Sequence, residues 1–173
     1  MYDRLYHGST EVIEHPDVIH SKKYLDFGKE FYITSFEQQA KKWAIRKGMR
    51  QERKPIVNVY ELSKNWEDLQ VLSFEKENEK WLEFVCACRR GEELNRVYDM
   101  IIGNVADDDV FKTVDMYFRG VWDKKKVLEE LRFYKMNDQI CIVNQEALDQ
   151  ILTFKEFYEV ESDGRQGAVG SGI

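Results

Sequence analysis

Three short stretches carry side chains whose types and order could do chemistry. The first is Leu5-Tyr6-His7-Gly8-Ser9-Thr10, in which a histidine ends an opening strand and glycine follows at once. Such a pair sets an imidazole beside backbone that a ligand can approach closely, because glycine has no Cβ. The second is Asp26-Phe27-Gly28-Lys29-Glu30-Phe31-Tyr32-Ile33-Thr34, followed by Gln39-Ala40 and Trp43-Ala44. An aromatic leaving a Gly-containing loop and entering a strand offers a stacking platform. The third is Asn137-Asp138-Gln139-Ile140-Cys141-Ile142, a polar lead into an apolar strand. Each has an ordinary reading when taken alone: a hydrogen-bonded surface histidine, core aromatics and turn chemistry. Their order along the chain gives them weight.

The elements that must position these residues can be read from periodicity. Tyr2 to His7 is expected as a short strand stopped by Gly8-Ser9. Residues 9–29 carry Pro16 and Gly28 and are expected as a long loop, of the kind that is usually functional or mobile. Phe31 to Thr34 is a strand by its aromatic and β-branched content. Ser35, with Gln38 three residues on, has capping-box spacing for a helix whose apolar face holds Phe36, Ala40, Trp43 and Ala44. Ile56 to Leu62 alternates as a strand, with Ile56, Asn58, Tyr60 and Leu62 on one side and Val57, Val59 and Glu61 on the other. A weaker strand is expected over Leu69–Phe74, a helix over 77–90, a central strand over Tyr98–Gly103 and a helix over 107–118 started by Asp107. Val127 to Tyr134 suggests another helix, Gln139–Val143 a buried strand, Glu146–Ile151 a short helix and Phe154–Val160 a last strand. The Gly-rich segment after Val160 is expected as a flexible tail, so residues 1–160 form one domain and 161–173 the tail. The irregular interleaving of strands and helices lacks the βαβ repeat of a doubly wound sheet, and neither GxGxxG nor a P-loop is present. The pattern fits an α+β domain with antiparallel strands.

Composition narrows the function classes. The 173 residues carry 26 Lys and Arg against 32 Asp and Glu, a net charge of −6 that argues against non-specific nucleic-acid binding. No apolar run approaches the roughly 20 residues of a membrane span, and MYDRLYHGS has no signal-peptide pattern, so the expected location is the cytoplasm. Cys86, Cys88 and Cys141 are an odd number without metal spacing, and are expected as small buried hydrophobes. Asp99, Asp107, Asp108 and Asp109 lack the Gly and terminal Glu of a calcium loop, and no metal site is expected. Against the acidic balance stands the run Lys41, Lys42, Arg46, Lys47, Arg50, Arg53 and Lys54. It is either a solvated helix face or a contact surface for a phosphate-bearing ligand or acidic partner.

The set YHGS, then DFGK-FYIT with QA and WA, then YDMIIGNVADDDVF, then NDQICI resembles a bacterial family of uncharacterised domains. These are placed in the ADP-ribosyltransferase superfamily of diphtheria toxin and the poly(ADP-ribose) polymerases, and the resemblance runs from residue 4 to about residue 158. It implies a split two-sheet antiparallel β core with peripheral helices, and NAD as co-substrate in the cleft. In the superfamily's His-Tyr-Glu pattern, His7 would bond a ribose hydroxyl, Gly8 would present backbone to the nicotinamide amide, and Tyr32 would stack on the nicotinamide ring. Ser9, Gly28 and Thr34 would complete the NAD-binding set. The third position, normally glutamate, is matched by Gln139.

That departure bears on the reaction. Cleaving the glycosidic bond of NAD leaves an oxocarbenium-like sugar, which negative potential stabilises. A neutral amide supplies only a dipole and hydrogen bonds. The expected activity is mono-ADP-ribosyl transfer to a macromolecule, with a toxin or defence role and an antitoxin partner resting on the resemblance alone. The alternatives are a slow or inactive NAD- or ADP-ribose-binding module, an enzyme using Asp138 or Glu146 instead, and an NAD glycohydrolase. The acceptor is unspecified, with the acidic balance favouring protein over nucleic acid. Glu30 stands where the family tends to carry glycine, and Lys29 could meet the pyrophosphate.

Overall fold

The computed structural model describes residues 4–19, 25–63, 66, 68–76, 78–104, 108–132, 137–161 and 166–171. In chain order these form β1 (Leu5–Ser9), β2 (Phe31–Ile33), α1 (Glu37–Gln51), β3 (Ile56–Leu62), β4 (Val71–Ser73), α2 (Glu79–Arg89), β5 (Met100–Asn104), α3 (Asp108–Phe118), α4 (Lys124–Leu131), β6 (Asp138–Ile142), α5 (Gln145–Ile151), β7 (Leu152–Val160) and β8 (Gln166–Ser171). A 3₁₀ turn at Leu94–Val97 precedes β5. The fold is α+β, as expected.

The strands make two four-stranded sheets, β1-β3-β7-β8 and β2-β6-β5-β4. Every pairing is antiparallel except β4 with β5. One core cluster draws on both sheets, with Leu5 and Tyr60 from the first and Phe31, Ile33, Met100, Ile140 and Ile142 from the second. Strand side chains alternate between faces. The opposite face of the first sheet, with Val57, Val59 and Tyr158, packs beneath Ala40 and Ala44 of α1. The opposite face of the second, with Tyr32, Ile101 and Cys141, packs beneath α2, α3 and α4 through Trp81, Val85, Val110, Val114 and Val127. The expected alternation of β3 therefore holds, with Tyr60 and Leu62 in the inter-sheet cluster and Val57 and Val59 under α1.

Several local expectations change. β1 runs on through Gly8 and Ser9, because these pair with Val57 and Ile56 of β3. Ser35 does not cap α1; Phe36 is the N-cap residue and supplies no side-chain bond. The turn is built instead by Asp138, which accepts from the Ser35 N–H at 2.9 Å, and by the Thr34 hydroxyl, which accepts from the Phe36 N–H at 3.1 Å. The buried stripe of α1 is Ala40, Ala44 and Gly48, whereas Phe36 is exposed, so the helix approaches its sheet through small residues.

The segment after β1 is tied down over part of its length. Asn58 binds the main chain at Glu11 and Ile13, the Tyr60 hydroxyl donates to the Ile13 carbonyl, and Gln145 bonds Pro16 and Val18. The Gly-rich stretch read as tail contains β8, which pairs with the edge of β7. Asp107 and Tyr134 lie outside the described residues. No helix is long and apolar enough to cross a membrane, and no cluster of His, Cys, Asp or Glu could hold a metal ion, both among the described residues. The three cysteines are buried and unpaired.

Candidate functional site

The two sheets meet at one bridge. Tyr6 and Thr34 exchange both backbone hydrogen bonds, at 2.8 and 3.0 Å, and this is the isolated bridge between β1 and β2. In an antiparallel ladder, residues alternate between exchanging both bonds with a neighbour and turning both groups away from it. Since Tyr6 gives its N–H and C=O to Thr34, Gly8 likewise turns its own away from β3 and toward β2. By the same alternation Tyr32, two residues before Thr34, turns its N–H and C=O toward β1. A continued ladder would join Gly8 to Tyr32. Instead the strands part, and four backbone polar groups face one gap.

Side chains occupy the two carbonyls. His7 Nδ1 lies 2.6 Å from the Tyr32 carbonyl oxygen. A carbonyl only accepts, so Nδ1 carries the proton and Nε2 keeps a free lone pair. The ring stacks on Phe31, with centroids 4.8 Å apart and planes 20° apart. Burial, and after it the Lys47 charge, hold the imidazole pKa down to about 3 against the opposing effect of the bond to Tyr32. His7 is therefore a neutral acceptor across the physiological range. Lys47 Nζ donates to the Gly8 carbonyl at 2.8 Å. Burial, and secondarily Arg50, bring its amine down to about 8.

Gly8 has a packing reason to be glycine. A Cβ there would stand 2.1 Å from the Ala40 carbonyl oxygen, 2.7 Å from the Ala44 nitrogen and 2.9 Å from the Trp43 Cβ. Helix α1 thus crosses β1 at Gly8, with the Trp43 Cβ against the glycine and Lys47 reaching its carbonyl. From sequence, Trp43 was one residue of an apolar helix face and Lys47 one of a basic run. Neither position was legible without the crossing point. Elsewhere in that run Lys41 pairs with Glu37, Arg53 with Glu11 and Lys54 with Glu159.

Tyr32 faces the helical side of its sheet, away from the His7 ring on Phe31. The two meet only through the Tyr32 carbonyl. Tyr32 is 7% exposed, in a cluster with Phe27, Trp81 and Cys141. Its hydroxyl donates to the Gly28 carbonyl at 2.8 Å and accepts from the Phe27 N–H at 3.1 Å. Burial pushes that phenol well above its ordinary range. Tyr32 is thus the post to which the Asp26-Phe27-Gly28 loop is tied. Gly28 holds φ at +113°, and a Cβ there would meet Asn95 Nδ2 at 2.5 Å. Asn95 in turn donates to Glu30 at 2.9 Å. Phe27 lies over Gly103, where a Cβ would be 2.7 Å from its ring. Arg89 clamps the loop through two bonds to Asp26 Oδ1, at 3.0 and 2.6 Å.

Gln139 shares the helical side with Tyr32. Cys141 pairs with Tyr32, and Gln139, two residues earlier, pairs with Gly103. The residue is 5% exposed and its Nε2 has no hydrogen-bond partner among the described residues. A buried amide donor left unpaired costs about 1–3 kcal/mol, which marks a place where a ligand acceptor or ordered water would be bound. Neither alternative carboxylate takes its place. Asp138 caps the turn through Ser35 and Thr34, and Glu146 is exposed on α5. The Thr34 hydroxyl is committed to Asp138 at 2.8 and 2.9 Å, and Ser9 pairs with Ile56 of β3. The gap therefore brings together His7, Gly8, the Tyr32 main chain and Lys47, with the Trp43 Cβ over Gly8 on the helix side, and Gln139 belongs to the helical face of the second sheet.

A protein-family model described as "Protein of unknown function (DUF3990)" matches residues 4–154, so the chain belongs to that family. No curated protein and no solved structure gives a significant match.

Proposed function

We propose that this member of the DUF3990 family is an NAD-dependent mono-ADP-ribosyltransferase with an ADP-ribosyltransferase-type core, acting on a macromolecular acceptor. The observation that carries the reading is the parted ladder between Gly8 and Tyr32. A primary carboxamide has one acceptor and a two-proton donor, as a strand residue has one of each. It can therefore bond Gly8 N–H and C=O in place of the missing strand. Nicotinamide presents such a group. Trp43, whose Cβ lies against Gly8, is the aromatic we assign to the nicotinamide ring, and the neutral His7 offers Nε2 to a ribose hydroxyl.

The chemistry is dissociative. The bond between the pyridinium nitrogen and C1′ of the ribose breaks, nicotinamide leaves with the electron pair, and the acceptor nucleophile bonds to C1′. Holding both ends of this bond lowers its barrier by positioning. Gln139 adds the dipole of a buried amide where a carboxylate would add charge, and losing such an element costs roughly 100–1,000-fold in rate. Slow transfer follows. Incubation with label on the adenylate part of NAD should mark a protein acceptor. Loss of labelling in His7→Ala and Trp43→Ala supports the reading, and wild-type labelling in both overturns the site.

A second reading is favoured by the same amide: a pocket that binds NAD or ADP-ribose with little turnover. Saturable NAD binding without nicotinamide release over hours would select it. Free ADP-ribose without labelled macromolecule would instead select NAD hydrolysis.

A further inference from the structure

Lys47 is the charged group at the gap that the proposed reaction does not use. Its stem runs from α1 to the Gly8 carbonyl, the acceptor that the proposed reading assigns to the nicotinamide carboxamide. Among the described residues this amine bonds a carbonyl and no carboxylate. The charge acting on it is that of Arg50 on the same helix, and the His7 ring beside it is neutral. An ammonium with a neutral partner and a cationic neighbour gains more from an anion than from the carbonyl it holds, since an anion adds the attraction of a full opposite charge to the hydrogen bond. Its four-carbon stem lets it swing.

We propose that Lys47 holds the Gly8 carbonyl until a dinucleotide binds and then moves to the pyrophosphate, so that it selects phosphate-bearing nicotinamide compounds over nicotinamide itself. Nicotinamide alone must displace the amine and returns nothing to it. The dinucleotide displaces it and supplies two phosphates. This rests on the proposed NAD reading.

The test compares nicotinamide with carbocyclic NAD, whose sugar lacks the ring oxygen that supports cleavage, by calorimetry on the full chain. Lys47→Met keeps the stem and removes the amine. It is expected to bind nicotinamide about tenfold more tightly than wild type and carbocyclic NAD about tenfold more weakly, the scale of one charged hydrogen bond. Lys47→Gln keeps an uncharged donor for Gly8. It should leave nicotinamide binding near wild type and still lose affinity for the dinucleotide. Matching unfolding midpoints control for folding. Shifts in the same direction for both ligands, or no shift in either, overturn the role of Lys47 alone. If wild type and variants bind neither ligand, the NAD reading fails and takes the inference with it.

Discussion

Gly8 and Ala40 meet with no side chain between them: a Cβ on Gly8 would lie 2.1 Å from the Ala40 carbonyl oxygen. That contact sets where α1 crosses β1, and hence where Trp43 and Lys47 stand. Gly8→Ala must push helix from strand, at about 3 kcal/mol for overpacking against backbone. Denaturant unfolding should show a lower midpoint with an unchanged slope. A loss under about 1 kcal/mol would mean that the helix sits farther from the strand.

His7 should remain neutral, with the proton on Nδ1, well below the pH at which histidine normally charges. Its folded pKa of about 3 lies below the ordinary 6.5, so between these values the unfolded chain binds a proton that the folded chain refuses. Stability should therefore fall as pH drops from about 6.5 to about 3. His7→Phe, which keeps a ring on Phe31, should flatten part of that fall. Nitrogen chemical shifts of the imidazole report both tautomer and charge. A titration midpoint near the ordinary value would contradict the buried bond to Tyr32.

The loop over Tyr32 is clamped by Arg89 and Asp26, whose side chains are 9% and 10% exposed. Removing one partner leaves a buried charge, so Asp26→Ala should cost about 3–5 kcal/mol. The double change Asp26→Leu with Arg89→Met should recover most of it. Hydrogen exchange of the Phe27 and Gly28 amides should quicken in the single variant only. Equal protection in both would show that Tyr32 alone holds the loop.

Gln139 separates stability from function. Its Nε2 finds no partner among the described residues, so Gln139→Leu should stabilise the protein by about 1 kcal/mol while abolishing NAD cleavage. Gln139→Glu should speed cleavage by about 100-fold, because charge replaces a dipole. Destabilisation by leucine would reveal a structural bond for the amide.

The elements were largely legible because their periods are clean. β3 alternates as its residues predict, and the Phe31-Tyr32-Ile33 strand lies where its aromatics place it. The site was legible only as residue types. That His7 and Tyr32 meet through a carbonyl follows from the parting of β1 and β2, a tertiary event with no local signal. Asp138, weighed as a spare carboxylate, proves to be a turn builder because β6 starts beside Thr34. Trp43 and Lys47 could be placed only once Gly8 was seen beneath α1.

The most direct measurement is nicotinamide release from NAD by the purified chain, followed over hours with mass analysis of added lysate proteins. The proposed function predicts slow release in wild type, one ADP-ribose per modified acceptor site, and neither product with His7→Ala. No release above the uncatalysed rate, or undiminished release by His7→Ala, would contradict it.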